Sequence, residues 1–164
     1  MSMIIDGTNG LTFNNATTQA SAGSVLQVVT GTYSTQVTTT VDSSAQDTGL
    51  TATITPKFST SKILVLAMNN VGSTNSAGQN SVSYFQIVRG STVICNSRFQ
   101  VGNALASGTN AVLIGYINNS LIDSPATTSA TTYKMQMFSN ATTITTTSAI
   151  NGYLATITLM EIAA

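Results

Sequence analysis

Every residue from 63 to 68, Ile-Leu-Val-Leu-Ala-Met, is apolar. A strand that is apolar on both faces is a central strand covered on both sides. A buried helix is the competing reading, but the run is short and lies between Pro56 and the polar cluster 72–76. Elsewhere the pattern alternates. Leu50, Ala52 and Ile54 share one face of a strand that Pro56 ends. Tyr133, Met135 and Met137 share one side of a strand over 131–139. In 153–162, Tyr153, Ala155, Ile157 and Leu159 oppose Leu154, Thr156, Thr158 and Met160. Further strands are predicted over 25–33, 36–41 and 111–118, with Gly31 a bulge or close-approach point. The strongest hairpin signal joins 82–89 to 91–95 through Gly90-Ser91, where glycine in first place suits a type II′ turn. Arg98 to Val101 extends this hairpin weakly, 42–47 and 72–80 read as loops, and 121–125 as a corner. About eight to ten strands and no helix predict an all-β fold, an antiparallel β-sandwich or jelly roll over residues 24–164.

Residues 1–23 differ. Two short apolar pieces, Met3-Ile4-Ile5 and Leu11-Thr12-Phe13, flank the turn Asp6-Gly7-Thr8-Asn9-Gly10, and a small polar stretch runs on to Gly23. So few core residues predict an extended N-terminal arm, held by something outside its own fold.

Composition adds a physical consequence. Of the 164 residues 42% are hydrophobic and only 6% charged, against about 25% charged in an ordinary domain. Thr, Ser, Asn and Gln must wet the surface instead, and the branched Cβ of Thr also favours strands. The formal net charge is zero, so repulsion does little to keep copies apart. Long uncharged strands need their edges occupied, and a closed homo-oligomer is the expected way to do it.

The same composition weighs against several function classes. Lys57, Lys62, Arg89, Arg98 and Lys134 are scattered, unlike a nucleic-acid-binding patch. No apolar run reaches membrane-spanning length, and the N-terminus lacks a signal peptide's pattern, so a cytoplasmic site of synthesis is expected. Cys95, in Thr92-Val93-Ile94-Cys95, reads as a small buried strand residue rather than a reactive thiol. The chain has no histidine, which removes the common general base and most zinc sites. Among the acids, Asp42 and Asp47 share a loop and Asp123 stands at a corner, but turn chemistry explains them better than a glycosidase pair or a calcium loop. The reading is therefore of a non-enzyme, without catalytic residues, cofactor or metal.

Three pieces carry a family resemblance. Gly10-Leu11-Thr12-Phe13-Asn14-Asn15-Ala16-Thr17-Thr18-Gln19 resembles the G-I-T-F-x-D-G-T-T-Q stretch of tailed-phage fibre and appendage proteins, with Asn15-Ala16 in place of Asp-Gly. Leu50-Thr51-Ala52-Thr53-Ile54-Thr55-Pro56 with Thr60-Ser61-Lys62-Ile63-Leu64-Val65 is similar to a strand pair in short β-rich virion proteins of aquatic tailed phages, including cyanophages. The stretch 121–134 and the ending Thr156-Ile157-Thr158-Leu159-Met160-Glu161-Ile162 look like the same group. The resemblance implies a trimeric β-sandwich or jelly-roll protein displayed on a virion. It would be a capsid decoration or cement protein, partnered by itself and by the major capsid or another virion protein, with neither nucleic acid nor membrane insertion. Ile4, Ile5, Leu11 and Phe13 are then expected to anchor the arm on the capsid or a neighbouring subunit; folding back onto their own domain or a sister chain is the alternative. The alternative placement is a short tail or head fibre that touches the host surface, with a surface glycan as its ligand.

Overall fold

The computed structural model describes residues 4–6, 10–12, 18–19, 24–75, 81–101 and 111–163. Three short strands come first: β1 (Ile4–Asp6), β2 (Gly10–Thr12) and β3 (Thr18–Gln19). The sandwich follows with β4 (Val25–Tyr33), β5 (Val37–Thr39), β6 (Gln46–Ile54), β7 (Lys62–Asn75) and β8 (Ser81–Arg89). It continues with β9 (Thr92–Val101), β10 (Ala111–Asp123), β11 (Thr131–Ser139), β12 (Ile144–Ser148) and β13 (Ala155–Ile162). One 3-10 turn, Ile150–Gly152, precedes β13.

Two antiparallel sheets make the sandwich, as the alternation predicts. The larger has six strands in the order β4-β13-β7-β12-β5, with β10 on the other edge of β7. The smaller has four, in the order β6-β11-β8-β9. Strand β7 is the centre of the larger sheet: β10 lines one edge over 63–75, while β13 and β12 share the opposite edge end to end. Inward residues of alternating strands meet in the core: Ile63, Val65, Ile157 and Leu159 from one sheet, Leu50, Ile54, Phe85, Ile87 and Met135 from the other. Fully burying one such side chain is worth about 1.5–3 kcal/mol.

One expectation is corrected here. The run 63–68 is not covered on both faces: Ile63, Val65 and Ala67 are buried, but Leu66 is 36% and Met68 41% exposed. These two point outward from the larger sheet, away from the core that Ile63, Val65 and Ala67 enter. The strand also runs further than its apolar stretch, because the interior beyond it is polar. Asn69 donates to Ser148 Oγ at 2.7 Å and accepts from the Ala149 N–H at 3.1 Å, and Ser83 Oγ bonds Ser73 Oγ at 2.9 Å. The predicted corner at 121–125 likewise lies partly within β10, and the loop 42–47 gives its last two residues to β6.

Local chemistry explains the rest. Gly90 alone of its turn has a positive φ, 58°, between the paired residues Arg89 and Thr92, as a two-residue II′ hairpin requires. Gly31 is a close-approach point: a Cβ there would lie 1.9 Å from the Thr51 carbonyl oxygen, so β4 packs directly against β6. A bulge sets Thr48, Gly49 and Leu50 opposite Met135 alone, and Thr48 Oγ1 restores the ladder by donating to the Met135 carbonyl at 2.9 Å.

Candidate interaction surface

A row of inward residues ties one end of the sandwich together. Across the larger sheet Gln27, Glu161, Ile63 and Asp123 are register partners in turn. Glu161 is fully buried and saturated: it accepts from Gln27 Nε2 at 2.6 Å and from the backbone N–H groups of Lys57 at 2.6 Å and Phe58 at 3.4 Å. Burial alone would raise its carboxyl, but these donors outweigh it and hold it below the usual carboxylate range. The carboxylate thereby fastens the β6–β7 loop over the end of the core. A depressed native value contributes stability above the ordinary value of 4.5, and that contribution disappears as pH falls through the native value. Glu161→Gln is therefore expected to unfold more easily at neutral pH by about 1–2 kcal/mol and to lose less stability on acidification than wild type. Urea melts at pH 7 and pH 3 check this, and equal pH dependence in the two proteins would refute it.

Asp123, on the other side of Ile63, reaches across to the smaller sheet. Its carboxylate takes Arg89 Nη1 at 2.7 Å and the Tyr133 hydroxyl at 2.7 Å. Burial first, and the Asp123 charge and hydrogen bond after it, push the Tyr133 phenol well above its ordinary value. Asp47 lies apart on the smaller sheet's outer face, bound by Lys134 and Gln136. Asp47 and Asp123 thus have different partners, and Asp42 accepts from Ser43 Oγ at 2.7 Å. Among the described residues no group of three His, Cys, Asp or Glu could hold a metal ion. Cys95 is half-buried rather than buried, with its Sγ 3.5 Å from Asn119 Oδ1.

The two outer faces contrast. On the smaller sheet Lys134, Gln136, Gln86 and Arg98 point outward, beside a Tyr84–Phe138 ring stack at 4.7 Å. On the larger sheet the outward rows are Val28, Thr30 and Thr32 of β4; Thr156, Thr158 and Met160 of β13; Leu64, Leu66 and Met68 of β7; and Asn118, Ser120 and Ile122 of β10. None of these is charged. Ile122 is 64% exposed, and the apolar row continues along β10 through Tyr116 and Ile114. Leu66, Met68, Asn118, Ser120, Thr156 and Thr158 line a shallow open groove of about 240 Å³ at its middle. Lys62, at the rim, donates to Ser124 Oγ at 2.8 Å.

No protein-family model and no curated protein sequence matches this chain. Among solved structures, a chain from the structure of infectious bursal disease virus, Gx strain, is similar with 11% sequence identity and a TM-score of 0.35. The match covers 92% of this chain, which spans 43% of that one.

Of the residues expected to anchor the arm, Ile4 and Ile5 lie in β1 and Leu11 in β2, with Ile5 opposite Leu11 and Ile4 opposite Thr12. Phe13, the turn residues 7–9 and the boundary at Gly23 lie outside the described residues. The outward face was missed as a site in the sequence because its apolar residues were assigned to the core. One signal could have found it: Leu64, Leu66 and Met68 share the parity opposite to Ile63, Val65 and Ala67. A chain with one sandwich core fills only one of those two rows.

Proposed function

We propose that this chain is a structural component of a virus particle, a homotrimeric decoration protein that attaches to a phage capsid through its N-terminal arm, residues 1–23. The observation that carries the reading is the organisation of that arm. Its described parts form a small sheet of their own, β1-β2-β3, and among the described residues no ladder joins it to the sandwich. Among the described residues both sandwich sheets form without a strand from the arm, which supports its being available to another surface. The resemblance of 10–19 and of the strand pair around Pro56 to virion proteins of tailed phages supports the same assignment. Three arms on one trimer act together, and linked contacts exceed a single contact by roughly 10²–10⁴-fold.

A chain lacking residues 1–23 is expected to keep its β circular dichroism and its assembly state, and to lose binding to particles by at least about 100-fold. Full-strength binding would remove the arm from its assigned role. Gold-labelled antibody on intact particles locates the protein: label over the head supports decoration, and label at the tail tip favours the fibre reading.

A further inference from the structure

We propose that the outward face of the larger sheet, centred on Leu66, Met68, Met160 and Ile122, is the surface through which copies of this chain assemble. This rests on the homo-oligomeric reading above and names the surface that such an assembly needs.

Three observations select a second copy as the occupant. The first is polarity. The smaller sheet turns Lys134, Gln136 and Arg98 outward, while among the described outward rows of β4, β13, β7 and β10 the one charge is Lys62, at the end of β7. Charge is thus placed at the middle of the smaller sheet's outer face, with Lys134, Arg98 and Asp47, and only at one end of the larger sheet's.

The second is self-complementarity. Apart from Lys62 at the rim, the polar groups on this face are Thr30, Thr32, Thr156, Thr158, Asn118 and Ser120. Hydroxyls and amides both donate and accept, so the same array can satisfy a copy of itself. An array of lysines or of carboxylates could not. With zero net charge, the approaching copies meet little repulsion.

The third is size. Four adjacent strands at a spacing of about 4.8 Å, with a rise of about 3.4 Å per residue along the long β7–β10 ladder, present on the order of 700 Å². A standard stable interface takes about 800 Å² from each partner. The face is of the scale that a specific protein contact uses and exceeds a small-ligand groove.

Sedimentation of the full chain tests this. Wild type is expected to run as one assembly larger than a monomer at micromolar concentration. The paired variant Leu66→Lys/Ile122→Lys is expected to run as a monomer with unchanged β circular dichroism, its association weakened by on the order of 100-fold or more, because like charges would face each other in a dry contact. Thr53→Lys, on the smaller sheet's outer face, is expected to assemble normally. Should the paired variant misfold, hydroxyl-radical footprinting of the wild type reads the same surface. Met68 and Met160 are then expected to oxidise more slowly in the assembly than after dilution into monomers. An assembly that survives both lysines, or a Met68 oxidised equally fast in either state, overturns the face while leaving self-association in place. A wild type that is monomeric at every concentration overturns both.

Discussion

Gly31→Ala is expected to abolish the folded sandwich. The added methyl would lie 1.9 Å from the Thr51 carbonyl oxygen and 3.2 Å from Ala52 Cβ, and the first of these is backbone that no rotamer change can move. Relief requires β4 and β6 to separate along the side where the two sheets meet, which unseats β13 and its inward Ile157 and Leu159 as well. A cost above about 4 kcal/mol places the substitution in the small class of severe single changes, so the variant should be recovered as aggregate. Gly90→Ala is the control. Nothing lies within 4 Å of a Cβ at Gly90, so only its positive φ is penalised, at about 1–2 kcal/mol. Comparable soluble yield and melting temperature for the two variants would refute the close-contact explanation.

Asp123→Ala is expected to lower stability by about 2–3 kcal/mol, below the full figure for breaking a buried pair because water reaches part of the Arg89 side chain. In a domain of this size that corresponds to a fall in melting temperature of about 5–10 °C. The loss has two sources: Arg89 keeps its charge without a carboxylate, and the Tyr133 hydroxyl loses its acceptor. Asp123→Asn should recover part of it, since an amide oxygen can still take the phenol. The substitution also carries a spectroscopic signature. In the wild type the Tyr133 phenol stays neutral past its ordinary value of 10.0, so fold stability should hold below that pH and decline above it as unfolded chains ionise. Without the Asp123 charge the phenol should ionise earlier in an ultraviolet titration, though burial keeps it above an exposed tyrosine. An unchanged titration would show that the contact is absent in solution.

Much of the fold is legible in residues whose local chemistry and tertiary environment agree. The strand spans 25–33 and 131–139 are read end to end, because turn residues bound them and their alternation matches a buried inner face. The Gly90-Ser91 hairpin and the close approach at Gly31 follow from what glycine permits. Legibility fails where distant hydrogen bonds decide. The stretch from Gly72 to Asn75 looks like loop by composition, yet β7 runs on through it, with Ser83 bonding Ser73 inside as Ser148 and the Ala149 N–H bond Asn69 just before it. Strand β12 is short and Thr-rich, and only pairing with β5 and β7 makes it a strand. Glu161 was readable in principle: it shares the parity of Ile157 and Leu159, which places a carboxylate inside. The donors that satisfy it come from Gln27, Lys57 and Phe58, and no local pattern announces them. The outer face was misread for a different reason. An apolar run records the polarity of a surface, without recording whether its own chain covers it.

The end-to-end placement of β12 and β13 along β7 bears on how the chain is made. Strand β7 emerges from the ribosome well before either strand that completes that edge, and β4 must wait longer still. Gln27 and Glu161, which meet in the finished row, are 134 positions apart. Pairings this distant in sequence are slow to close. During synthesis the nascent chain therefore carries Ile63, Val65 and Leu66 on an open strand, and its final sheet closes only after residues 155–162 have left the exit tunnel. Chaperone dependence of soluble yield should accordingly follow the translation of β13 rather than of β7.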